Sequence, residues 1–209
     1  MENGNRNKSK LLLIYGAPGT GKSTLAALLS ARLNGAFVIN TDFIKEWLRL
    51  FAPSSELLYH SHDAWKLFGE KNEGNIIHGF EQHADALLTS IRDFLLHLFK
   101  KYRLIIIEGV HFSKNGIKVL VESDWEILPV LLGVDKIQYS NFVSRKAALR
   151  SVDGKSWLES FDVIEKLDNY YKNLALCFPD VFVPPTGQSM QTLLESTLDY
   201  FSGPLRVFR

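Results

Sequence analysis

The chain has 209 residues, a length that suits one domain with a full core, and its 46% apolar and 22% charged content is ordinary for a globular protein. A net charge of +1 gives no ground for broad attraction to nucleic acid or membrane, so any basic site has to be local. The one cysteine, Cys177, forbids an intrachain disulfide and reads as a core residue, and no apolar stretch is long enough to cross a bilayer.

The start, MENGNRNKSK, is polar and reads as a disordered lead-in over residues 1–9, not a signal peptide; a reducing, cytoplasmic compartment is expected. Residues 11–15, LLLIY, form a short continuous apolar run, as in a strand buried on both faces. The loop GAPGTGKST follows over 16–24, and Ala and Leu carry a helix over 23–33. A second strand is expected over 37–40 and a helix over 42–51, capped near Thr41. Residues 52–73 read as a loop with one short helix around 64–68. Ile77, Phe80, Ala84, Leu87, Leu88, Ile91, Leu95 and Leu98 put one apolar face on a long helix over 76–101. Strands are expected over 104–107 and 127–132, then helices over 135–149 and 157–176. A last strand over 181–183 is stopped by Pro184 and Pro185, a helix over 188–201 closes the domain of residues 10–203, and 204–209 form a tail. Strands alternating with helices imply an α/β fold with three layers, α/β/α, and a mainly parallel sheet whose ligands sit at the carboxyl ends of the strands.

Three chemical features fall at that edge. The first is the glycine loop. Gly16-x-x-x-x-Gly21-Lys22-Ser23 fits the phosphate-binding pattern G-x-x-x-x-G-K-[ST] without a mismatch. Gly16, Ala17, Pro18, Gly19, Thr20, Gly21, Lys22, Ser23 and Thr24 would cradle the phosphates of ATP, with Lys22 on the β- and γ-phosphates and Ser23 on Mg²⁺. The second is Asp42, placed to orient an acceptor hydroxyl or accept its proton; the bland alternative is support of a helix start. The third is Glu108, whose expected task is support of the Mg²⁺ ion, against a structural ion pair. The closing cations are sought in Arg145 and Arg150, in a lid near 145–157, while Lys146 and Lys155 read as a solvated face. His60 and His62 are assigned to loop polarity, since no cysteines accompany them and they are too close for a triad. There is no Asn-Lys-x-Asp guanine reader, and the strand before Glu108 does not end in the Asp or Asp-Glu of a motor ATPase.

These strings resemble the 2-phosphoglycerate kinase family, P-loop kinases of the nucleotide-kinase-like fold. The resemblance is carried in order by 16–23, TDFIKEWLR over 41–49, IHGF over 77–80, IEGVH over 107–111, and Phe142-x-x-Arg145. Lys45 stands where the family has arginine, His60-Ser61-His62 replaces a Ser-Ser-Tyr type string, His83 takes the place of a glutamine, and Phe112-Ser113-Lys114 replaces an apolar residue and proline. The resemblance implies a P-loop kinase that uses MgATP to phosphorylate a hydroxyl of a small anionic metabolite, 2-phosphoglycerate first. Lys45, Arg49, His111 and Lys114 are the acceptor-side candidates, with Asp42. A nucleoside, sugar or RNA-end kinase stays open, with Trp47, Tyr59 and Trp65 as aromatic candidates, and so does a regulatory nucleotide-binding protein with little turnover. The expected partner is a small molecule; nucleic acid other than an RNA end, and membrane, are not expected.

Overall fold

A computed structural model describes residues 9–34, 36–51, 55–57, 59–121, 125–150, 154–176 and 180–202. Four parallel strands, β1 (Lys10–Tyr15), β2 (Phe37–Asn40), β3 (Leu104–Gly109) and β4 (Glu126–Leu131), lie in the order β2-β3-β1-β4. The helices are α1 (Lys22–Arg32), α2 (Thr41–Phe51), α3 (Glu73–Leu98), α4 (Lys114–Val121), α5 (Lys136–Arg150), α6 (Lys155–Leu158), α7 (Phe161–Ala175) and α8 (Met190–Ser202). The expected α/β layering and the parallel sheet are observed. Among the described residues no helix is long and apolar enough to cross a membrane.

The two-residue period of β1 explains the layers. Leu11, Leu13 and Tyr15 point into a core with residues of α3 and α7, while Leu12 and Ile14 point to the other face, against α1 and α8. Leu11 to Tyr15 are fully buried, as a strand covered on both faces requires. In register, Ile14 faces Glu108 and Asn40 faces Glu108, so the strands that lead to the glycine loop, α2 and Glu108 end level with one another.

Several boundaries differ from expectation. Asn40, not Thr41, caps α2: its Oδ1 accepts from Phe43 N at 2.7 Å, and Thr41 is buried in the first turn. The long helix starts earlier, at Glu73, because Asn72 Oδ1 accepts from Asn75 N at 2.9 Å. The 52–73 loop carries two 3₁₀ turns, Ser55–Leu57 and Ala64–Leu67. The helix expected over 157–176 is split into α6 and α7. Residues 181–183 make only an isolated bridge, Val130 to Phe182. Leu131 N donates to Phe182 O at 2.9 Å. Two residues back on the same side stands Pro129, which has no N–H to extend the ladder. Ser9, expected in the lead-in, already accepts from Glu126 N at 3.0 Å. Cys177, residues 1–8 and residues 204–209 lie outside the described residues.

Candidate active site

The chain leaves β1 through Gly16 at φ 143°, where a Cβ would lie 2.1 Å from Leu132 O, so only glycine fits. Gly21, in the left-handed region, leads into α1, and no side chain caps that helix. Its first-turn N–H groups are therefore left for an anion, and the positive end of the helix dipole favours one. Lys22 is buried; its Nζ donates to Ala17 O at 2.7 Å and to Thr20 Oγ1 at 3.2 Å. Burial pushes its pKa down to about 8, and the carboxylates of Glu108 and Asp42 pull partly the other way. The ammonium is thus charged at neutral pH but poorly solvated, a state that phosphate oxygens would relieve.

Glu108 is buried at the end of β3. Its Oε1 accepts from Ser23 Oγ at 2.8 Å and from Asn40 Nδ2. A buried carboxylate needs such donors. The pairing of a serine hydroxyl with a carboxylate supplies the hard oxygen chemistry that Mg²⁺ prefers. No group of three or more His, Cys, Asp and Glu side chains suited to a metal occurs among the described residues, so an ion here would complete its shell with phosphate oxygens and water.

Asp42 enters the cleft from the first turn of α2, with its side chain 56% exposed. Lys45, one turn on, is 3% exposed; its Nζ lies 3.5 Å from Asp42 Oδ1 and 3.2 Å from Glu46 Oε1. Partial burial works against the charged form of Asp42, but His111, Lys45 and Lys22 outweigh it and hold its pKa below the usual carboxylate value. His111 itself is kept neutral at physiological pH, since burial drives its pKa well down. Asp42 is a carboxylate at that pH, and the neighbouring lysines favour its charged form.

Across from α2 stands α5. Arg145 and Lys146 line the cleft, and Lys146 Nζ sits 5.1 Å from the Phe142 ring and 5.3 Å from the Trp157 ring. Lys146 was expected on a solvated face and is instead a wall of the site. Arg150 ends α5, but its side chain and residues 151–153 lie outside the described residues.

One cleft of about 310 Å³ joins these parts. It brings together Pro18, Gly19, Gly21, Lys22, Ser23, Thr24, Asp42, Lys45, Glu108 and Arg145 from the expected set. Three expected acceptor residues, Arg49, Lys114 and His111, do not line it. Arg49 turns to a loop instead: Nε donates to Leu57 O, Nη2 to Tyr59 O at 2.5 Å, and Nη1 to Glu46 Oε1 at 3.0 Å. Lys114 is exposed at the start of α4, where its N–H donates to Tyr170 Oη at 3.1 Å. His111 sits behind the wall as a strut, with Nδ1 2.9 Å from Thr41 Oγ1 and Nε2 3.0 Å from Ser61 Oγ. The aromatic candidates Trp47, Tyr59 and Trp65 do not line the cleft; Tyr139, Phe142 and Trp157 do. Sequence reasoning missed His60, Ser61 and His62, which line it from the loop before α3.

A family model described as an AAA domain matches residues 5–138, more than half of the chain. The chain belongs to that family. The AAA domain match takes in the glycine loop, Asp42 and Glu108. The similarity to 2-phosphoglycerate kinases is also shown. The chain is 28% identical over 165 residues to a 2-phosphoglycerate kinase of Methanocaldococcus jannaschii, covering 77% of this chain and 53% of that protein. It is 30% identical over 114 residues to a mevalonate-3-phosphate 5-kinase of Thermoplasma acidophilum, covering 54% of this chain and 56% of that protein. This AAA-domain chain thus spans about half the length of these curated relatives. Among solved structures it is similar to a shikimate kinase from Acinetobacter baumannii in complex with shikimate, with a TM-score of 0.53 and 15% identity over 91% of this chain and 92% of that one. It is also similar to a deoxyadenosine kinase from M. mycoides with bound dATP, with a TM-score of 0.51 and 15% identity over 92% of this chain and 99% of that one. These likenesses show the P-loop α/β fold.

Proposed function

We propose that the protein is an ATP-dependent phosphotransferase acting on a hydroxyl of a small, anionic metabolite such as 2-phosphoglycerate. The observation that supports this best is the shared cleft: the phosphate loop forms its floor and Asp42 with Lys45 forms a wall. Among the described residues its lining holds four cations, Lys22, Lys45, Arg145 and Lys146, against two carboxylates, Asp42 and Glu108. That local excess of positive charge stands on a chain with a net charge of only +1. An anionic acceptor needs it, because two unit charges at about 4 Å in an effective dielectric near 20 repel by about 4 kcal/mol.

In this reading residues 16–24 bind the triphosphate, and Ser23 and Glu108 hold Mg²⁺, which when bound supplies charge neutralisation at the β- and γ-phosphates. Lys22 exchanges Ala17 O for phosphate oxygens. Asp42 orients the acceptor hydroxyl. Arg145 and Lys146 add positive charge to the phosphoryl group in transit. A smaller hollow of about 80 Å³ lies beside Thr20 and suits the base: Pro184, Pro185 and Met190 give apolar faces. Gln138 Oε1, buried there without a hydrogen-bond partner, offers an acceptor for an amino group.

The likeness to 2-phosphoglycerate kinases supports the anionic acceptor. The test is ADP release with 2-phosphoglycerate, a nucleoside, a neutral sugar and an RNA 5′ end. Stimulation by 2-phosphoglycerate above the other three is expected. Preference for the nucleoside or the RNA end would overturn the acceptor assignment, and ADP release unmoved by any of them would favour a regulatory nucleotide-binding protein.

A further inference from the structure

Thr41 and Asp42 are neighbours in the first turn of α2, and their side chains part ways. Asp42 enters the cleft, whereas Thr41 is fully buried. Thr41 Oγ1 lies 2.9 Å from Nδ1 of His111, two residues past the end of β3. The other ring nitrogen, Nε2, lies 3.0 Å from Ser61 Oγ in the loop before α3. His111 is fully buried as well, and both of its nitrogens are used. Asp42 Oδ1 stands 3.9 Å from the same Nε2. That carboxylate favours the tautomer with the proton on Nε2, which turns an N–H toward it. Nδ1 is then an acceptor, and the Thr41 hydroxyl donates to it. The end of β3 is shaped to let the two meet. Gly109 has φ 154°, and a Cβ there would collide with Thr41 Oγ1. The strand therefore ends in a residue that leaves the Thr41 hydroxyl room beside His111.

We propose that Thr41 and His111 are positioning residues for Asp42: they fix the first turn of α2, and with it the carboxylate, relative to the phosphate loop. This rests on the kinase reading above and deepens it by naming what holds the group that orients the acceptor. Asp42 needs such a hold. Its side chain is 56% exposed, and the Lys45 ammonium 3.5 Å away is shared with Glu46 at 3.2 Å. An exposed carboxylate beside a shared cation keeps rotamer freedom. A misplacement of about 1 Å at a reacting group can cost about 10²-fold in rate. The link through Thr41 acts one residue away, on the backbone that carries Asp42. From His111 it runs back two residues to Gly109, which pairs in register with Tyr15, the residue before Gly16. Asp42 is thereby referenced to the strand that leads into the phosphate loop. Burial keeps the His111 ring neutral, so Nδ1 keeps its lone pair for Thr41 at physiological pH.

The experiment follows ADP release with whichever of 2-phosphoglycerate, the nucleoside, the neutral sugar and the RNA 5′ end turns over fastest, so its outcome does not depend on the acceptor. T41V removes the hydroxyl in nearly the same shape, and H111L removes the ring nitrogens. Each is expected to lower kcat by about tenfold, and by no less than threefold, with KM for ATP within threefold of wild type. T41S keeps the donor, and H111N keeps an acceptor near the place of Nδ1; each should retain at least a third of wild-type kcat. A double variant separates positioning from general loosening. With D42N in place, T41V should lower kcat by less than twofold further, since no carboxylate is left to misplace. A fall of less than threefold in T41V overturns the proposal and leaves the kinase reading standing. So does a fall from D42N to T41V/D42N as large as that from wild type to T41V, the pattern that a loss of folding would give. H111N no better than H111L overturns the part of His111. Wild-type protein that releases no ADP in response to any of the four acceptors overturns both the proposal and the kinase reading.

Discussion

Replacing Lys22 by methionine separates its work in the site from its effect on stability. The side chain is 6% exposed and its pKa falls from 10.5 to about 8. A shift of that size corresponds to about 3 kcal/mol held against the charged form. The folded protein binds fewer protons than the unfolded chain between about 8 and 10.5, so stability rises with pH across that window and the penalty is fully present below it. Methionine fills much of the same volume and removes the penalty. It also removes the hydrogen bonds of Nζ to Ala17 O and Thr20 Oγ1, which offset about 1–2 kcal/mol of the gain. Lys22→Met is therefore expected to be more stable than wild type by about 1–2 kcal/mol at pH 7, and to lose the rise between pH 8 and 10.5. Its turnover should fall by about 10²–10³, the cost of removing one preorganised donor to developing charge. Urea unfolding at pH 7 and pH 10 reads the first effect, and ADP release reads the second. Turnover within threefold of wild type would refute the phosphate role, and a loss of stability above about 2 kcal/mol would refute the desolvation argument.

Asp42→Asn keeps a hydrogen-bonding group but removes the charge; if Asp42 orients the acceptor as proposed, kcat should fall by about 10²-fold or more with ATP affinity within threefold, read by steady-state kinetics and nucleotide titration. Glu108→Gln removes the negative charge behind Ser23 Oγ, so the Mg²⁺ concentration for half-maximal ADP release should rise by about tenfold or more; an unchanged Mg²⁺ curve would return Glu108 to a structural role. Gly109→Ala builds a Cβ 1.7 Å from Thr41 Oγ1 at a residue with φ 154°, so it should break the link from Thr41 to His111 and lower stability by about 1–3 kcal/mol in a denaturant titration.

The floor of the site was legible because each part follows a strong local signal. An apolar run, three glycines and a helix former fix the loop, and strands that end level bring Asp42 and Glu108 beside it. The wall that carries Asp42 and Lys45 was less legible because tertiary ties decide it. Lys45 and Arg49 share a helix face by spacing, yet the extra turn takes Arg49 away from the sheet edge to the carbonyls of Leu57 and Tyr59. His60 and His62 lie in a segment with no periodicity, held at the cleft by ties the sequence does not show: Ser61 to His111, and the carbonyls of Leu57 and Tyr59 to Arg49. His111 reads as an acceptor-side cation or donor by position and becomes a neutral strut by burial. The helix α4 carried a usable signal: Ser113 Oγ accepts from Gly116 N at 2.9 Å as a cap, ahead of the buried pair Ile117 and Leu120.

The environment of Asp42 also constrains what it can do in the proposed reaction. Its pKa is held below the usual carboxylate value, whereas an alkyl hydroxyl is about as weak an acid as water, near 15.7. Full transfer of the acceptor proton to Asp42 before phosphoryl transfer would span about 12 units or more, roughly 16 kcal/mol. A turnover of about 10 s⁻¹ corresponds to a total barrier of about 16 kcal/mol, so that step alone would consume all of it. The proton must therefore leave late, once bonding to phosphorus has made the hydroxyl more acidic, which a loose transition state permits. Before that point Asp42 acts as an acceptor that aims one oxygen lone pair along the line of attack. The lysines that favour its charged form, Lys45 and Lys22, are then no handicap: an ionised Asp42 is an acceptor only throughout the approach of the substrate.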